Sequence, residues 1–453
     1  MDEHFLLTTR LAQQLYHGCA ETLPVIDYHN HLSVRDLAEN RRYQNLAQLW
    51  LVSDPYKHRA MRICGVPERY ITGDADDFEK FSAWMTVLPR LMGNPLYDWS
   101  VMEMKRVFEI DLVPGVTDAA WLWEETNRKL ALPKHSALAL LERFHVEYAA
   151  PCAALTDDIA DYLRFENLAP SLRGDDLTAL TPSSIDRLEQ LTKTSIDTLE
   201  SYYAAIDRRL DDFANAGCRF SDHALDNGFT YLPDDGNNGR RFQIWRKGGA
   251  LEKADQIRLT SDILRFLAGA YARRGWTMQL HIGAQRSTST RLRTIAGPAG
   301  GFAGIGSGCD VSSLTGMLDD FERGPHGLPR VILFTLNPAD NAVMSVLSGS
   351  YSQDGIAGKV QQGPAWWWCD HLYGMREVFE SISAFGVLST FIGMTTDSRS
   401  LLSFVRHEYF RRALCGWIGE KAARGEFPAD ESLLKKLVED VCYRNAKNAV
   451  TGG

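Results

Sequence analysis

The sequence predicts an α/β fold: a (β/α)8 TIM-like barrel with a large helical insertion after its first strand. Three observations predict it. Eight short apolar or β-branched runs recur along the chain, helical segments lie between most of them, and a polar cluster follows each run. The 453 residues are 45% hydrophobic and 24% charged, enough to bury at least one large core. The formal charge of −9 argues against nucleic acid or an anionic membrane as a partner, since both call for excess Lys and Arg. An acidic substrate would have to meet arginine concentrated locally.

Taken in order, Phe5 to Tyr16 carries Leu6, Leu7, Leu11 and Leu15 at helical spacing, an amphipathic leading helix that Gly18 can end. Met1 to Leu15 lacks a basic region followed by an apolar run, so no signal peptide is expected. No stretch reaches the roughly eighteen apolar residues of a membrane span. The eight cysteines scatter without a Cys-x-x-Cys spacing, which reads as reduced, mostly structural thiols in a cytoplasmic protein.

Pro24, Val25 and Ile26 open the first strand, Val25 to Tyr28, which runs into polar residues from Asp27 to His31. On an extended backbone His29 and His31 share one face. Two imidazoles converging there can hold one divalent metal, at about 2.0–2.1 Å each if it is zinc. For an isolated pair, one hydrogen-bonded and one solvated histidine is the plainer alternative.

Val34 to about Leu141 reads as helical almost throughout, punctuated by Pro55, Pro67, Pro89, Pro95, Pro114 and Pro133. That is too long for a connection between barrel elements. A helical cap packed over the mouth of a site is expected, with most of its aromatics in the core. The chain then divides into 1–33, the leading helix and first strand; 34–141, the cap; and 142–453, the rest of the barrel and the C-terminal helices.

The other strands are expected at Val146 to Cys152, Leu168 to Leu172, Cys218 to Ser221, Thr277 to Ile282, Val331 to Leu336, Val360 to Trp366 and Val387 to Met394. Helices are expected at Ser183 to Asn215, Ser261 to Arg273, Ser312 to Arg323 and Asp370 to Ala384. After the strands come, in turn, His29 and His31; Thr156-Asp157-Asp158; Arg173; Asp222-His223; His281; Asn337; Trp367-Trp368; and Thr396-Asp397-Ser398-Arg399. In β/α barrels the site lies at the carboxyl ends of the strands, so these clusters converge. Water-facing strand ends explain some of them, but explain poorly histidines at strands one, four and five with an aspartate at strand eight.

The runs Asp27-Tyr28-His29-Asn30-His31-Leu32-Ser33, Ala38-Glu39-Asn40, Tyr70-Ile71-Thr72-Gly73, Gly93-Asn94-Pro95-Leu96-Tyr97, Ser221-Asp222-His223-Ala224-Leu225, Gln279-Leu280-His281-Ile282-Gly283-Ala284, Trp366-Trp367, Thr396-Asp397-Ser398-Arg399 and Tyr443-Arg444-Asn445-Ala446-Lys447 together resemble the uronate isomerase (glucuronate isomerase) family of the amidohydrolase superfamily. The resemblance spans the chain. It implies interconversion of D-glucuronate with D-fructuronate and of D-galacturonate with D-tagaturonate, by proton transfer between C2 and C1 through a cis-enediol. It also implies His29, His31 and Asp397 as ligands of a divalent metal, zinc foremost, with His281 a further neighbour. Asp397, Tyr56 and Arg399 are expected in catalysis, and Arg173, His223, Trp366 and Trp367 in substrate binding. Tyr56, with an ordinary pKa near 10, would need a neighbouring cation or metal to act as a base. A homo-oligomer is expected.

Two positions depart from the family pattern. Pro55 stands where relatives carry a histidine before the tyrosine, removing an acid/base or hydroxyl-binding group. Arg173-Gly174-Asp175 replaces Arg-Pro-Asp, which is expected to loosen the loop that places Arg173. The glycine-rich run from Gly297 to Gly308 lacks Gly-x-Gly-x-x-Gly and is expected to be a mobile lid rather than a nucleotide loop. Asp157 and Asp158 are expected to cap the next helix. A metal-dependent hydrolase of the same superfamily, or a divergent isomerase or binding protein for a related sugar acid, is the alternative function.

Overall fold

The computed structural model describes residues 2–452. Seven parallel strands form one sheet: β1 (Val25–Asn30), β2 (Val146–Ala154), β3 (Ser171–Arg173), β4 (Phe220–Leu225), β5 (Thr277–Ile282), β6 (Arg330–Thr335) and β7 (Val360–Gln362), each paired with its neighbours in chain order. Alternation explains how the strands are covered. Met278, Leu280 and Ile282 of β5 join Leu259, Ile263 and Leu267 of the helix Lys253–Arg273 in one apolar core, and His281, of the opposite phase, lines a cavity.

The expected strand at Val387 to Met394 is not regular. Leu388–Thr390 is a 3-10 turn, and Gly393 and Asp397 have φ of +81° and +47°. This segment nevertheless lies beside β1. The Asp397 N–H donates to His29 O at 3.0 Å, and the His31 N–H donates to Ser398 O at 2.8 Å. Between them the Thr395 hydroxyl intercepts the ladder, accepting from the His29 N–H at 2.9 Å and donating to His29 O. On its other side, Gln361 Oε1 of β7 accepts from the Ile392 N–H at 2.8 Å. Side chains therefore make contacts that a ladder would otherwise make.

Other boundaries move for local reasons. The leading helix is Arg10–His17, because Thr9 caps it and Leu6 has φ of +65°. β3 begins after Pro170, which has no N–H to donate, and β7 ends where Gly363 and Pro364 follow. Between β1 and β2 there are helices and no strand among the described residues, including Pro55–Ile63 capped by Asp54, Asp77–Val87 with a capping box from Asp76 and Glu79, and Pro95–Phe108 capped by Asn94. Trp50, Trp84 and Trp99 are buried among them, as expected, while Trp121 is 50% exposed.

Candidate functional site

A cavity of about 740 Å³ opens at the carboxyl ends of the strands. His29 Nε2 and His31 Nε2 lie 3.3 and 3.0 Å from Asp397 Oδ1. Residues nearly four hundred positions apart meet there because Asp27 ties β1 to the segment before Asp397. Its buried carboxylate accepts from Thr395 Oγ1 at 2.9 Å, the Thr396 N–H at 2.6 Å, Thr396 Oγ1 at 2.7 Å and Asn30 Nδ2 at 2.9 Å, with His407 Nε2 at 3.3 Å. The other oxygen of Asp397 accepts from Trp366 Nε1 at 3.0 Å. Burial alone would push the Asp397 carboxyl up, but the hydrogen bonds with His29 and His31 outweigh it and hold the group well below the ordinary carboxylate range.

Tyr56, Arg173, Trp366, Trp367, His281 and Arg399 also line the cavity. Arg399 has no ion-pair partner among the described residues. Arg173 is held by Asp175, with Nη2 3.0 Å from Oδ2. The Tyr56 ring packs edge-on against Trp368, and the Arg406 guanidinium lies 4.9 Å from its centroid. Burial, reinforced by Asp397, holds the Tyr56 phenol well above its ordinary value despite Arg406. His281 packs against His29 at 4.7 Å between centroids, and burial with the nearby His29 keeps it neutral, far below its ordinary value.

His223 does not line the cavity. It occupies the other phase of β4, with Nε2 3.0 Å from Tyr271 Oη, and Asp222 faces the cavity in its place. The reading of His223 as a substrate contact was one residue out of phase. Gly174 is not a loosened loop either. A Cβ there would lie 2.0 Å from His223 Cε1, so the glycine is where the His223 ring packs. Asp157 and Asp158 do not cap the next helical turn, Ala160–Arg164, which starts from Ile159 with no side-chain cap; they accept instead from the N–H groups of Ala154 and Ala160 in the turns before it. The sequence reading missed the cavity-lining Arg286, paired with Asp226 at 2.8 Å and lying 5.0 Å from the Trp367 ring, and it missed Cys152, whose Sγ is 3.5 Å from His29 Nδ1.

The donor set fits a divalent cation. One buried and one partly exposed imidazole meet one carboxylate oxygen, and the buried His281 Nε2 beside them has no hydrogen-bond partner among the described residues. His29 also groups with His31 and Cys152, and with Asp222 and His281, within 4.8 Å in each set.

A parallel β/α sheet whose first strand ends in His-x-His against an aspartate of the last segment defines the class, an enzyme of the amidohydrolase fold. Comparison with known proteins narrows it. The family profile for glucuronate isomerase matches residues 1–449. The uronate isomerase of Salmonella paratyphi A is 39% identical over 469 aligned positions, covering 100% of this chain and 99% of that one. The uronate isomerase structure from Thermotoga maritima superposes with a TM-score of 0.92 at 28% identity over 99% of each chain. The glucuronate isomerase structure from Caulobacter crescentus has the same fold, with a TM-score of 0.90 at 22% identity over 100% of this chain and 97% of that one. The chain belongs to the glucuronate isomerase family. Isomerisation of hexuronates is the activity of that family.

Proposed function

We propose that the cavity binds the open-chain form of a hexuronate and interconverts D-glucuronate with D-fructuronate and D-galacturonate with D-tagaturonate. The observation that carries this reading is the convergence of His29, His31 and Asp397 in a cavity that also holds Arg173 and Arg399. A base removes the C2 proton, the C2–H electron pair becomes the C1–C2 double bond, and the carbonyl oxygen at C1 gains a proton. Collapse of the enediol returns a proton to C1 as the C2 hydroxyl loses its own. Asp397, kept ionised, is the base of this scheme. Tyr56, kept protonated, donates and recovers the oxygen-bound proton. Arg399 offers a fixed cation to the developing enediolate, and Arg173 grips the distant carboxylate. Trp366 and Trp367 wall the sugar.

His29, His31 and Asp397, with His281 as neighbour, would hold the divalent ion, for which zinc is our reading from the imidazole donors. When bound, it supplies Lewis acidity to the sugar's oxygens. We read the fold as a closed (β/α)8 barrel whose eighth position is the irregular segment before Asp397, with residues 34–141 as a cap inserted between 1–33 and 142–453. Among the described residues no helix is long and apolar enough to cross a membrane. A cytoplasmic homo-oligomer accords with this reading.

Incubation with each uronate in deuterium oxide should yield ketose carrying deuterium at the exchanged carbon; absence of ketose from both acids would remove the proposal. Asp397→Asn should lower turnover by about 10²-fold or more, whereas Asp158→Asn, which alters only a local turn, should leave it nearly unchanged. Equal loss in both would show that Asp397 has no special part in the chemistry.

A further inference from the structure

We propose that Arg406 is a positioning residue that holds the Tyr56 phenol and the Asp397 carboxylate in fixed relation, joining the two sides of the proton transfer. The inference rests on the roles given to Tyr56 and Asp397 above, and its experiment separates the two. Arg406 stands in the first turn of the helix Val405–Ala423, is 2% exposed and does not line the cavity. Its Nη1 donates to Thr396 O at 3.0 Å. That carbonyl belongs to the peptide unit whose N–H, on Asp397, donates to His29 O at 3.0 Å. The peptide entering Asp397 is thus gripped on both edges. The grip has a purpose, because Asp397 has φ of +47°, a region sparsely populated by residues that carry a Cβ.

The same guanidinium lies over two rings, 4.9 Å from the Tyr56 centroid and 4.1 Å from that of Trp99. A planar, delocalised cation suits such contacts better than an ammonium does. Asp54 fixes the Tyr56 backbone, accepting from the N–H groups of Tyr56 at 2.9 Å and Lys57 at 3.1 Å. What remains free is the ring, and Arg406 and the edge-on Trp368 hold it.

Two other arginines of this helix show what a structural guanidinium looks like. Arg411 donates to Leu23 O and Pro24 O, both at 2.7 Å, and Arg412 to Glu408 Oε1 at 2.9 Å and Glu3 O at 2.8 Å. Arg406 is less well satisfied. Asp370 Oδ2 is 3.6 Å from its Nη1, beyond a hydrogen bond, and Arg406 Nε and Asp370 Oδ1 are buried with no hydrogen-bond partner among the described residues. A cation buried on such terms is costly to the fold, so its stabilising bonds do not explain its place. Its contacts with Tyr56 and with the peptide of Asp397 do.

The test is a double-mutant cycle on the full-length protein, with kcat on D-glucuronate expressed per bound metal. Arg406→Lys keeps the charge and loses the planar fork. It should lower kcat by about 10²-fold, the cost of roughly 1 Å of misplacement, with KM within about threefold because Arg406 lies outside the cavity wall. In a Tyr56→Phe background the same change should cost less than about tenfold, since contacting residues that act together are not additive. Losses that multiply, a raised KM with unchanged kcat, or full activity in Arg406→Lys would each overturn the inference while the roles of Tyr56 and Asp397 stand. A Tyr56→Phe enzyme of undiminished turnover would instead remove Tyr56 from the chemistry, and the inference with it. If Arg406→Lys does not fold, Trp99→Phe takes its place in the cycle, leaving the cation but shrinking a ring it rests on. A loss of about tenfold is then expected, absent in the Tyr56→Phe background, and losses that multiply, or no loss, again overturn the inference.

Discussion

Tyr56 combines two opposing influences on one phenol. The Arg406 guanidinium over its ring favours the phenolate, while burial and the Asp397 carboxylate favour the neutral form and win. A tyrosine held in that state is a proton donor, which suits the oxygen side of an enediol and not the carbon side. Tyr56→Phe should therefore lower kcat by about 10²-fold, within the range for a lost general acid, and leave KM within about threefold; a large rise in KM with unchanged kcat would make Tyr56 a binding group only. Gly174 offers a second measurement. Because a Cβ there would meet the His223 ring at 2.0 Å, Gly174→Ala should destabilise by about 1–3 kcal/mol, read as a lower urea midpoint with unchanged slope. An unchanged midpoint would mean that the ring moves aside freely. These positions also show what single residues reveal in sequence. The His29–His31 spacing is legible because strand geometry repeats every two residues. The choice between Asp222 and His223 is not, since a one-residue phase error exchanges the two faces of β4. Cys152 carries no spacing at all, and its surroundings come entirely from neighbouring strands.

At the scale of elements, the helix Pro95–Phe108 is joined to the helix Val405–Ala423 through Glu408. Its carboxylate takes a two-pronged contact from Arg106, at 2.7 and 2.8 Å, and accepts from Arg412 Nε at 2.9 Å. Burial pushes the Glu408 carboxyl up, but the Arg106 hydrogen bonds and the two guanidinium charges outweigh it and leave it below its ordinary 4.5. A folded value below the unfolded one stabilises the fold above about pH 4.5, and the contribution is lost as pH falls through the folded value. Glu408→Gln should cost about 1.5–3 kcal/mol at pH 7, toward the lower end because Arg106 is 41% exposed and screened. The gap between wild type and variant should close in urea titrations below pH 4.5; a gap independent of pH would assign the loss to packing. The same scale explains which elements the sequence revealed. β5 was legible to its bounds because Thr277 to Ile282 is buried throughout and bounded by turn glycines at 275 and 283. The segment before Asp397 was not, because Thr395 and Gln361 replace ladder bonds with side-chain bonds that no propensity reports.

Across the whole molecule, the stretch between β1 and β2 and the loop after β5 meet over the cavity. The Arg59 Nη1 donates to Gly301 O at 3.5 Å and Ala303 O at 3.3 Å, Arg62 Nη1 donates to Gly300 O, and Trp368 Nε1 donates to Ala303 O at 3.0 Å. The sequence raises the expectation of a lid in this run but carries no sign of the partner it touches. The Arg59 guanidinium, 4.4 Å from the Trp368 ring, completes the latch. Its tightest point is Gly301, at φ of +79°, where a Cβ would lie 2.1 Å from Pro55 O. Proline at 55 has no N–H of its own to satisfy, opens the helix Pro55–Ile63, and brings its carbonyl against the glycine. Gly301→Ala must therefore lift the loop from the helix. The fold beneath should persist, because the two apolar cores contain no residue of the 297–301 segment. Water entering the cavity and a displaced wall should lower kcat/KM for uronates by about 10²-fold, the cost of roughly 1 Å of misplacement, with little change in melting temperature. Full activity in Gly301→Ala would mean that chemistry proceeds with the loop raised, and the latch would then have no part in turnover.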